Sequence, residues 1–322
     1  MSARRVDGST AFRAPEGGTL VVIGNFDGVH LGHRAVLESS SEEARALGLA
    51  TVALTFDPHP SVVLGRPALP VLTTLDRKLE LLGSIAPELT AVVEPFTTEL
   101  SRWSPEQFAE RVLHEHLRAR IVVVGKNFRF GLGRAGDLST LAELGERLGF
   151  SARAEPLRGD AKGPYSSSRV RAALAEGNLS ECEEVLGRPH SLSGIVAHGA
   201  GRGRTIGVPT ANLEAVPEAL PPYGVYACVV DRLESGALRA LARAVVNVGE
   251  RPTLGAGFSV EAHLFDFDGD LYGQRLRLHL CARLREERRF DGIEALRAQI
   301  ARDMAVAREA TAGRRPTGAA WY

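Results

Sequence analysis

The sequence has few cysteines and no long apolar run. Its three cysteines, Cys182, Cys228 and Cys281, are isolated and odd in number, which excludes a disulfide framework and indicates reduced thiols in a cytoplasmic protein. No apolar run approaches the roughly 20 residues of a membrane span. No long apolar segment follows Arg4 and Arg5, so we expect no signal peptide.

The sequence also lacks net charge. Lys plus Arg equals Asp plus Glu at 39 residues each. A nucleic-acid or anionic-membrane partner requires a net basic field or a basic patch. Arginines do cluster at 283–289, but Glu286 and Glu287 interrupt them. We therefore expect small-molecule substrates, no nucleic acid and no membrane, whereas the oligomeric state stays open.

At 322 residues the chain is long enough for two domains of roughly 150 residues each. The pattern in the first half predicts strands at 20–23, 50–56, 91–94, 121–124 and 151–156 and helices at 34–47, 76–82, 104–114 and 138–148. Strands and helices in alternation are typical of a parallel sheet covered by helices on both faces.

From about Arg188 strands follow one another with little helix between them. They are predicted at 224–230, 244–248, 260–267 and 276–284, with Asp268 and Gly269 as a hairpin turn between the last two. In the last strand, apolar residues at 276, 278 and 280 alternate with polar ones at 275, 277 and 279, which predicts one buried and one exposed face. An antiparallel sheet or small barrel is expected, with the domain boundary near 187–189.

A C-terminal helix is expected to close the second domain. Asp291 and Glu294 have the spacing of a capping box at its start. Its buried stripe is predicted at Ile293, Leu296, Ile300 and Met304.

Two histidines follow the first predicted strand, in the segment 21–33, VVIGNFDGVHLGH. His30 and His33 share one face of a helix start, where unpaired N–H groups and the helix dipole favour anions. Imidazoles there can donate hydrogen bonds to charge that develops on a phosphate in a transition state. Zinc is a weaker alternative, because no paired Cys or His follows at a useful spacing.

Polar loops follow other predicted strands of the first half. Gly131, Gly133 and Gly136 spell a dinucleotide-binding fingerprint, but the first glycine does not end the preceding strand, so we reject that interpretation. We expect Asn127, with the arginines at 129 and 134, in a loop beside the phosphate site. The segment 55–60, TFDPHP, is expected to face the same crevice, with a proline-stiffened loop as the alternative.

A serine and arginine cluster, SSSRVR at 166–171, precedes a helix predicted to begin about Arg169. Hydroxyls, guanidinium groups and a helix start together are typical of an anion site. A plain serine N-cap is the alternative.

A glycine loop precedes an oxygen pair at 199–213, GAGRGRTIGVPTANL. Exposed N–H groups and positive charge there suit phosphate oxygens. The candidate phosphate-binding residues are Gly199, Gly201, Arg202, Gly203 and Arg204. Thr210 and Asn212 place a hydroxyl and an amide oxygen on one side of an extended segment, and such hard donors suit Mg²⁺. A flexible loop before an ordinary strand is the alternative.

Glu261 lies in a predicted strand whose face it shares with His263, Phe265 and Phe267. A carboxylate beside aromatic rings is either a surface residue of an edge strand or a base held against a planar ligand. The residues alone leave both interpretations open.

Taken together, the motifs resemble those of the bacterial bifunctional riboflavin kinase/FAD synthetase family. GNFDGVHLGH, TFDPHP, VVGKNFRFG and SSSRVR are similar to its adenylyltransferase motifs, and HGAGRGRTIGVPTAN, VNVGERPT and VEAHLFDFDGDLYG to its kinase motifs. The resemblance covers nearly the whole chain and implies an α/β domain followed by a β domain. These are a Rossmann-like nucleotidyltransferase domain at 1–186 and a six-stranded Greek-key β-barrel with a closing helix at 187–322.

The resemblance implies that ATP phosphorylates riboflavin to FMN and that a second ATP adenylylates FMN to FAD with release of pyrophosphate. It implies Glu261 as the base that activates the riboflavin 5′-hydroxyl, and Thr210 and Asn212 as Mg²⁺ ligands. It implies that His30 and His33 stabilise the α-phosphate of the second ATP. Further ATP or FMN contacts are implied at Gly24, Phe26, Asp27, Asn127, Ser166, Ser167, Arg169 and Arg171.

Three residues depart from the family pattern. Val208 stands where phenylalanine is usual, which is expected to loosen flavin or nucleotide packing. Tyr165 replaces an aliphatic residue and Ser168 a threonine, which affects only fine positioning of substrate. The alternatives are a monofunctional enzyme with one degenerate module and a flavin-binding regulator without turnover, and the intact catalytic and metal candidates argue against both.

Overall fold

The computed structural model describes residues 2–65, 70–156, 158–199, 203, 207–234, 237–250 and 257–314. The chain divides into two compact units, Met1–Leu69 with Thr73–Ser166, and Pro70–Leu72 with Ser167–Tyr322. Packing thus groups residues 167–186 with the second unit, whereas the sequence assigns them to the first domain.

The first unit is a six-stranded parallel sheet with helices, which confirms the predicted Rossmann-like domain. Its strands are β1 (Arg4–Asp7), β2 (Thr19–Ile23), β3 (Ala50–Asp57), β4 (Thr90–Pro95), β5 (Ala119–Val124) and β6 (Ser151–Ala154), in the order β1-β4-β3-β2-β5-β6. Its helices are α1 (Leu31–Ala46), α2 (Pro60–Val63), α3 (Leu75–Ile85), α4 (Pro105–Phe108, continued by a π-helix at Ala109–His116) and α5 (Leu138–Leu148). A small ladder joins β7 (Gly159–Asp160) to β8 (Gly163–Pro164).

Local signals set the ends of these helices. Ser104 and Gln107 form the predicted capping box at the start of α4. Asp137 accepts a hydrogen bond from the Thr140 N–H at 3.1 Å at the start of α5. Gly149 ends α5 in the left-handed conformation, with φ of 83°, which costs glycine less than other residues.

The two faces of the sheet carry separate apolar clusters. Along β2, Val21 and Ile23 belong to one cluster and Leu20 and Val22 to the other. Both faces are therefore buried, which explains the continuous apolar run in the sequence. The strand order reverses at β2, between β3 and β5, and such a switch point leaves a crevice at the carboxyl ends of the strands.

The second unit is a closed six-stranded antiparallel barrel, which confirms the predicted β domain. Its strands are β9 (Ser191–Ala197), β10 (Ala211–Glu214), β11 (Gly224–Glu234), β12 (Ala237–Glu250), β13 (Phe258–Leu264) and β14 (Arg275–Glu286), in the order β10-β13-β12-β11-β14-β9. Its helices are α6 (Ser167–Ala175), α7 (Leu179–Leu186) and α8 (Ile293–Ala310).

The predicted hairpin at Asp268 and Gly269 is wrong. Strand β13 pairs with β10 and β12, whereas β14 pairs with β11 and β9. The strand already ends at Leu264, and Asp266 has a positive φ of 55°. The segment after β13 therefore connects β13 to β14, two strands that are not neighbours in the closed barrel.

The predicted exposed face of β14 is also wrong. Arg277 and His279 are each only 1% exposed. His279 Nε2 lies 3.0 Å from Asp231 Oδ2, and the two side chains are buried together. Helix α7 packs against β14, so both faces of this strand are covered.

The start of α8 differs from the prediction, and its predicted stripe agrees only in part. Gly292 is its N-cap and no side chain caps it, and Ile293 is 52% exposed. The predicted stripe residues Leu296, Ile300 and Met304 are half-buried, and Met304 packs against the cluster that includes Ala307. The fully buried positions are Gln299, Asp303 and Ala307. Arg285 pairs with Asp303 at 2.8 Å, which turns this polar side of the helix toward β14. In the described part of the chain, neither this helix nor any other is long and apolar enough to cross a membrane.

The three cysteines are free, as predicted. Burial raises the pKa of Cys182 to about 12 and that of Cys281 to about 11. They are therefore neutral thiols of low reactivity near pH 7.

The burial of His190 leads to a prediction of how the stability of the barrel unit depends on pH. The residue is 2% exposed, and its Nε2–H donates to the Ala219 carbonyl at 2.8 Å. Burial lowers its pKa to about 4, with Arg188 and Arg171 acting in the same direction. Between pH about 6.5 and about 4 the unfolded chain binds a proton that the folded chain does not. The free energy of unfolding therefore decreases as the pH is lowered through this range, by up to about 3 kcal/mol.

We expect the free energy of unfolding of His190→Gln to depend less on pH than that of the wild type. The measurement is urea unfolding from pH 4.5 to 8. The exposed His114 provides the control, since His114→Gln should leave the wild-type slope unchanged. Equal slopes in the wild type and His190→Gln would contradict the assignment.

Candidate functional sites in the two units

A cavity of about 400 Å³ lies at the switch point of the first unit. Residues that follow β2 and β5 line it, among them Gly24, Asn25 and Asn127. Its aromatic lining residues are Phe56, Phe96, Trp103, Phe108, Phe128 and Phe130. The chain has only 12 Phe, 5 Tyr and 2 Trp, so a large share of its aromatic residues meets in one place. Such a lining suits a planar ring system.

The sequence predicted part of this cavity and missed part of it. The expectation that TFDPHP faces the crevice is met by Phe56, His59 and Pro60, and the loop residues Asn127, Arg129 and Arg134 line the same space. No motif indicated Trp103 or Phe108. They reach the cavity from the segment before α4 and from α4 itself, through tertiary packing.

His30 and His33 meet at the start of α1. Their rings are stacked with centroids 3.7 Å apart and an interplanar angle of 23°. His30 is the N-cap, and its Nδ1 accepts a hydrogen bond from the His33 N–H at 3.3 Å. In neutral His30 the ring proton is then on Nε2, which is the donor that the ring offers. Because Nδ1 is engaged, this geometry favours the phosphate interpretation over zinc.

Phe26 and Gly32 fix the position of these rings. Phe26 is 2% exposed and packs edge-on against His33 at 5.3 Å. A Cβ on Gly24 would lie 3.1 Å from the Phe26 ring, and one on Gly32 would lie 3.0 Å from His30 Nδ1. The glycines in the motif therefore leave room for the aromatic and imidazole rings.

A buried hydrogen-bonded chain supports the cavity wall. Lys78 donates from Nζ to Thr55 Oγ1 at 3.4 Å, and Thr55 donates to the Asn25 carbonyl at 3.3 Å. Burial lowers the pKa of Lys78, while Asp27 and Asp57 act in the opposite direction. Sequence reasoning missed Lys78, because a lysine in an amphipathic helix normally faces solvent.

Asp27 acts on the neighbouring backbone. Its Oδ1 accepts a hydrogen bond from the Thr73 N–H at 3.2 Å, and Thr73 Oγ1 accepts one from the Gly28 N–H at 3.1 Å. This exchange holds the turn that precedes His30. Asp27 therefore has a structural contact in addition to the predicted ligand role.

The serine and arginine cluster is divided between the two units. Ser166 belongs to the first unit and Ser167, Arg169 and Arg171 to the second. The Arg169 guanidinium donates to Glu181 of α7 at 2.6 Å. If the Arg169 guanidinium bound an anionic substrate, that contact would compete with its ion pair to Glu181.

In the second unit, two loop glycines lie against the proposed metal ligands. A Cβ on Gly199 would lie 2.2 Å from Asn212 Nδ2, and one on Gly203 would lie 3.2 Å from Thr210 Oγ1. The loop therefore contacts both oxygen donors, which a larger residue would prevent. The predicted loop residues Gly201, Arg202 and Arg204 lie outside the described residues.

Glu261 stands next to this pair across the sheet. It is directly opposite Asn212 in the antiparallel register of β10 and β13, so the two side chains lie on one face of the barrel wall. Phe265 follows the end of β13 and is buried against Ala307 of α8, and Phe267 lies beyond the positive-φ residue Asp266. The predicted strand therefore ends before both aromatic residues, although the Phe265 ring still contacts that of His263, with centroids 6.1 Å apart.

Comparisons with known proteins agree with this division into two sites. Residues 13–169 match the sequence model of the FAD synthetase family, and residues 186–311 match that of the riboflavin kinase family. A protein of Escherichia coli K12 named bifunctional riboflavin kinase/FMN adenylyltransferase is 39% identical over 299 residues, which cover 92% of this chain and 94% of that one. A protein of the same name from Bacillus subtilis is 34% identical over 293 residues, 88% of this chain and 90% of that one.

A solved structure is similar over almost the whole chain. It is described as a macrolide-efflux protein from Streptococcus pneumoniae, with a TM-score of 0.81 and 28% sequence identity. The match covers 96% of this chain and 99% of that one.

Proposed function

The chain belongs to the bifunctional riboflavin kinase/FMN adenylyltransferase family, and from this premise we propose which of its residues perform the two reactions. The protein is a transferase with two activities: ATP phosphorylates riboflavin to FMN, and a second ATP adenylylates FMN to FAD. The observation that carries the proposal is that His30 and His33 stack at the start of α1 in the first unit, whereas Asn212 and Glu261 are directly opposed in the barrel of the second unit.

For the kinase, the Glu261 carboxylate takes the proton of the riboflavin 5′-hydroxyl as that oxygen attacks the γ-phosphorus of ATP. The bond between this phosphorus and the β–γ bridging oxygen breaks, and ADP leaves. General bases act within hydrogen-bonding distance of the proton that they remove. The register beside Asn212 supports this role, because it puts the carboxylate next to the residues proposed to hold the nucleotide.

The oxygen donors Thr210 and Asn212 fit Mg²⁺, which takes hard oxygen ligands and few protein contacts. The contact of Asn212 with Gly199 supports this choice, since it brings the donor to the loop proposed to bind phosphate. When bound, Mg²⁺ would offset negative charge on the phosphates. The residues proposed to bind the phosphates are Gly199, Gly201, Arg202, Gly203 and Arg204.

Asn212→Ala is expected to raise the Mg²⁺ concentration for half-maximal FMN formation by about 10-fold or more, because one of two protein oxygens is lost. The measurement is a Mg²⁺ titration of riboflavin phosphorylation. The same variant should form FAD from FMN with the wild-type Mg²⁺ curve. An unchanged kinase titration would assign the metal to other residues.

For adenylylation, an FMN phosphate oxygen attacks the α-phosphorus of ATP and pyrophosphate leaves. His30 and His33 donate hydrogen bonds to the negative charge that develops on the α-phosphate. The flavin ring occupies the aromatic cavity beside Asn127. We further assign Gly24, Phe26, Asp27, Ser166, Ser167, Arg169 and Arg171 to the binding of ATP or FMN.

We place the functional boundary at 186/187 and both reactions in the cytoplasm. The kinase family match begins at residue 186 and the FAD synthetase match ends at 169, which supports a boundary after α7. Three free cysteines are consistent with a reducing compartment.

Incubation of the purified protein with riboflavin, ATP and Mg²⁺, followed by chromatography of the flavins, tests the proposal. We expect FMN to appear first and FAD after it, and FMN supplied alone to give FAD. A product series that stops at FMN, or a protein that uses only added FMN, would identify a monofunctional enzyme.

A further inference from the structure

Asn247 lies beside Glu261 on the side away from Asn212. In the barrel register, Asn247 of β12 is directly opposite Glu261 of β13, and Glu261 is directly opposite Asn212 of β10. Directly opposed residues point to the same face of a sheet, with Cβ atoms about 4.5–5.5 Å apart. The three side chains therefore form a row across three neighbouring strands, with the carboxylate in the middle.

This row is polar, whereas the opposite face of the same strands is apolar. Its three members are half-buried. The residues before and after them point to the opposite face of the sheet, which is buried and apolar: Ala211, Leu213, Val246, Val248, Val260 and Ala262. On the face of the row, Val245 of β12 belongs to the apolar packing under α8, with Phe265 and Ala307. Two positions further along the strand, Asn247 places an amide directly opposite Glu261.

The surroundings of Asn247 favour a neutral hydrogen-bond donor. A Cβ on Gly249 would lie 3.1 Å from Asn247 Nδ2 and 2.6 Å from Glu287 Oε1. The amide thus has one carboxylate opposite it across the strand pair, Glu261, and a second, Glu287, near its nitrogen. An asparagine there donates hydrogen bonds without adding negative charge to the pair, whereas an aspartate would add like-charge repulsion.

We propose that Asn247 is a positioning residue for riboflavin phosphorylation, whose side-chain amide holds one oxygen of the Glu261 carboxylate and leaves the other facing the substrate hydroxyl. The inference rests on the proposed role of Glu261. A carboxylate on a flexible side chain needs such support, because a reactive group is effective only when neighbours fix its rotamer.

The test uses Asn247→Asp, which keeps the shape and loses the donor, and Asn247→Ala. Both are expected to lower kcat for riboflavin phosphorylation by about 10- to 100-fold, the usual effect of removing a supporting contact, while KM for riboflavin changes less than about threefold. FAD formation from FMN should stay at the wild-type rate. Arg239→Ala is the control on the same strand, because Arg239 is exposed and its partner is Glu234.

A double-mutant cycle separates positioning from a structural role. If Asn247 acts through Glu261, Asn247→Ala should cost little further kcat in a Glu261→Gln background, where the carboxylate is already gone. A full additional loss there, or wild-type kcat in both single variants, would overturn the inference while the role of Glu261 stands. Wild-type kinase activity in Glu261→Gln alone would overturn both proposals.

Discussion

Glu261→Gln is expected to lose riboflavin phosphorylation almost completely, with kcat lowered by about 10²- to 10⁴-fold, the usual contribution of a general base. Glutamine keeps the shape and hydrogen-bonding capacity of the side chain but cannot take the proton of the 5′-hydroxyl. The measurement is steady-state formation of FMN from riboflavin and ATP. The same protein should convert FMN to FAD at the wild-type rate, because His30, His33 and the aromatic cavity lie in the other unit.

Glu234 supplies the matched control for this prediction. It is a carboxylate at the far end of β11, where it pairs with Arg232 and Arg239. Glu234→Gln should leave both reactions unchanged. If Glu261→Gln lowered both activities equally in a folded protein, the assignment of Glu261 to the kinase would be wrong.

His33→Ala is expected to lower kcat for FAD formation by about 10²- to 10³-fold, as removal of one donor to a developing negative charge does in other enzymes. KM for ATP should change less, because the interaction strengthens only as charge develops on the α-phosphate. Riboflavin phosphorylation should continue at the wild-type rate. The measurement is a comparison of both reactions in one preparation.

The ring contacts of His33 also predict an effect on stability, which has to be separated from the effect on catalysis. His33 stacks on His30 and packs against Phe26, so its removal is expected to lower the melting temperature slightly. Ser39→Ala, at an exposed position of the same helix, measures the effect of a change in α1 outside these contacts. Full FAD formation with a large loss of stability in His33→Ala would leave His33 only a packing role.

The secondary structure of the first unit was predictable because its signals are local. Apolar runs at β2, β3 and β5 alternate with amphipathic helices, and a capping box starts α4. Each of these signals depends on residues within one or two turns of the chain. The histidines, the oxygen pair and Glu261 were identifiable as candidate groups for the same reason, since each lies in a short contiguous motif.

Predictions failed where distant segments decide the outcome. The polar residues Arg277 and His279 alternate with leucines as on an exposed face, but both are buried, and His279 pairs with the buried Asp231 of β11. The polar residues Gln299 and Asp303 of α8 are buried because arginines of the last strand and its end bind them. Periodicity describes one element at a time and carries no information about the element that covers it.

By itself the sequence determined which chemical groups this protein has and in which order they occur, since motifs are local and keep their spacing along the chain. Only the tertiary structure decided which groups stand together. The row of Asn212, Glu261 and Asn247 exists because the closure of the barrel puts β13 between β10 and β12. A shift of one residue in either pairing would turn Glu261 away from its neighbours, and that register is set by the pairing of strands far apart in the chain.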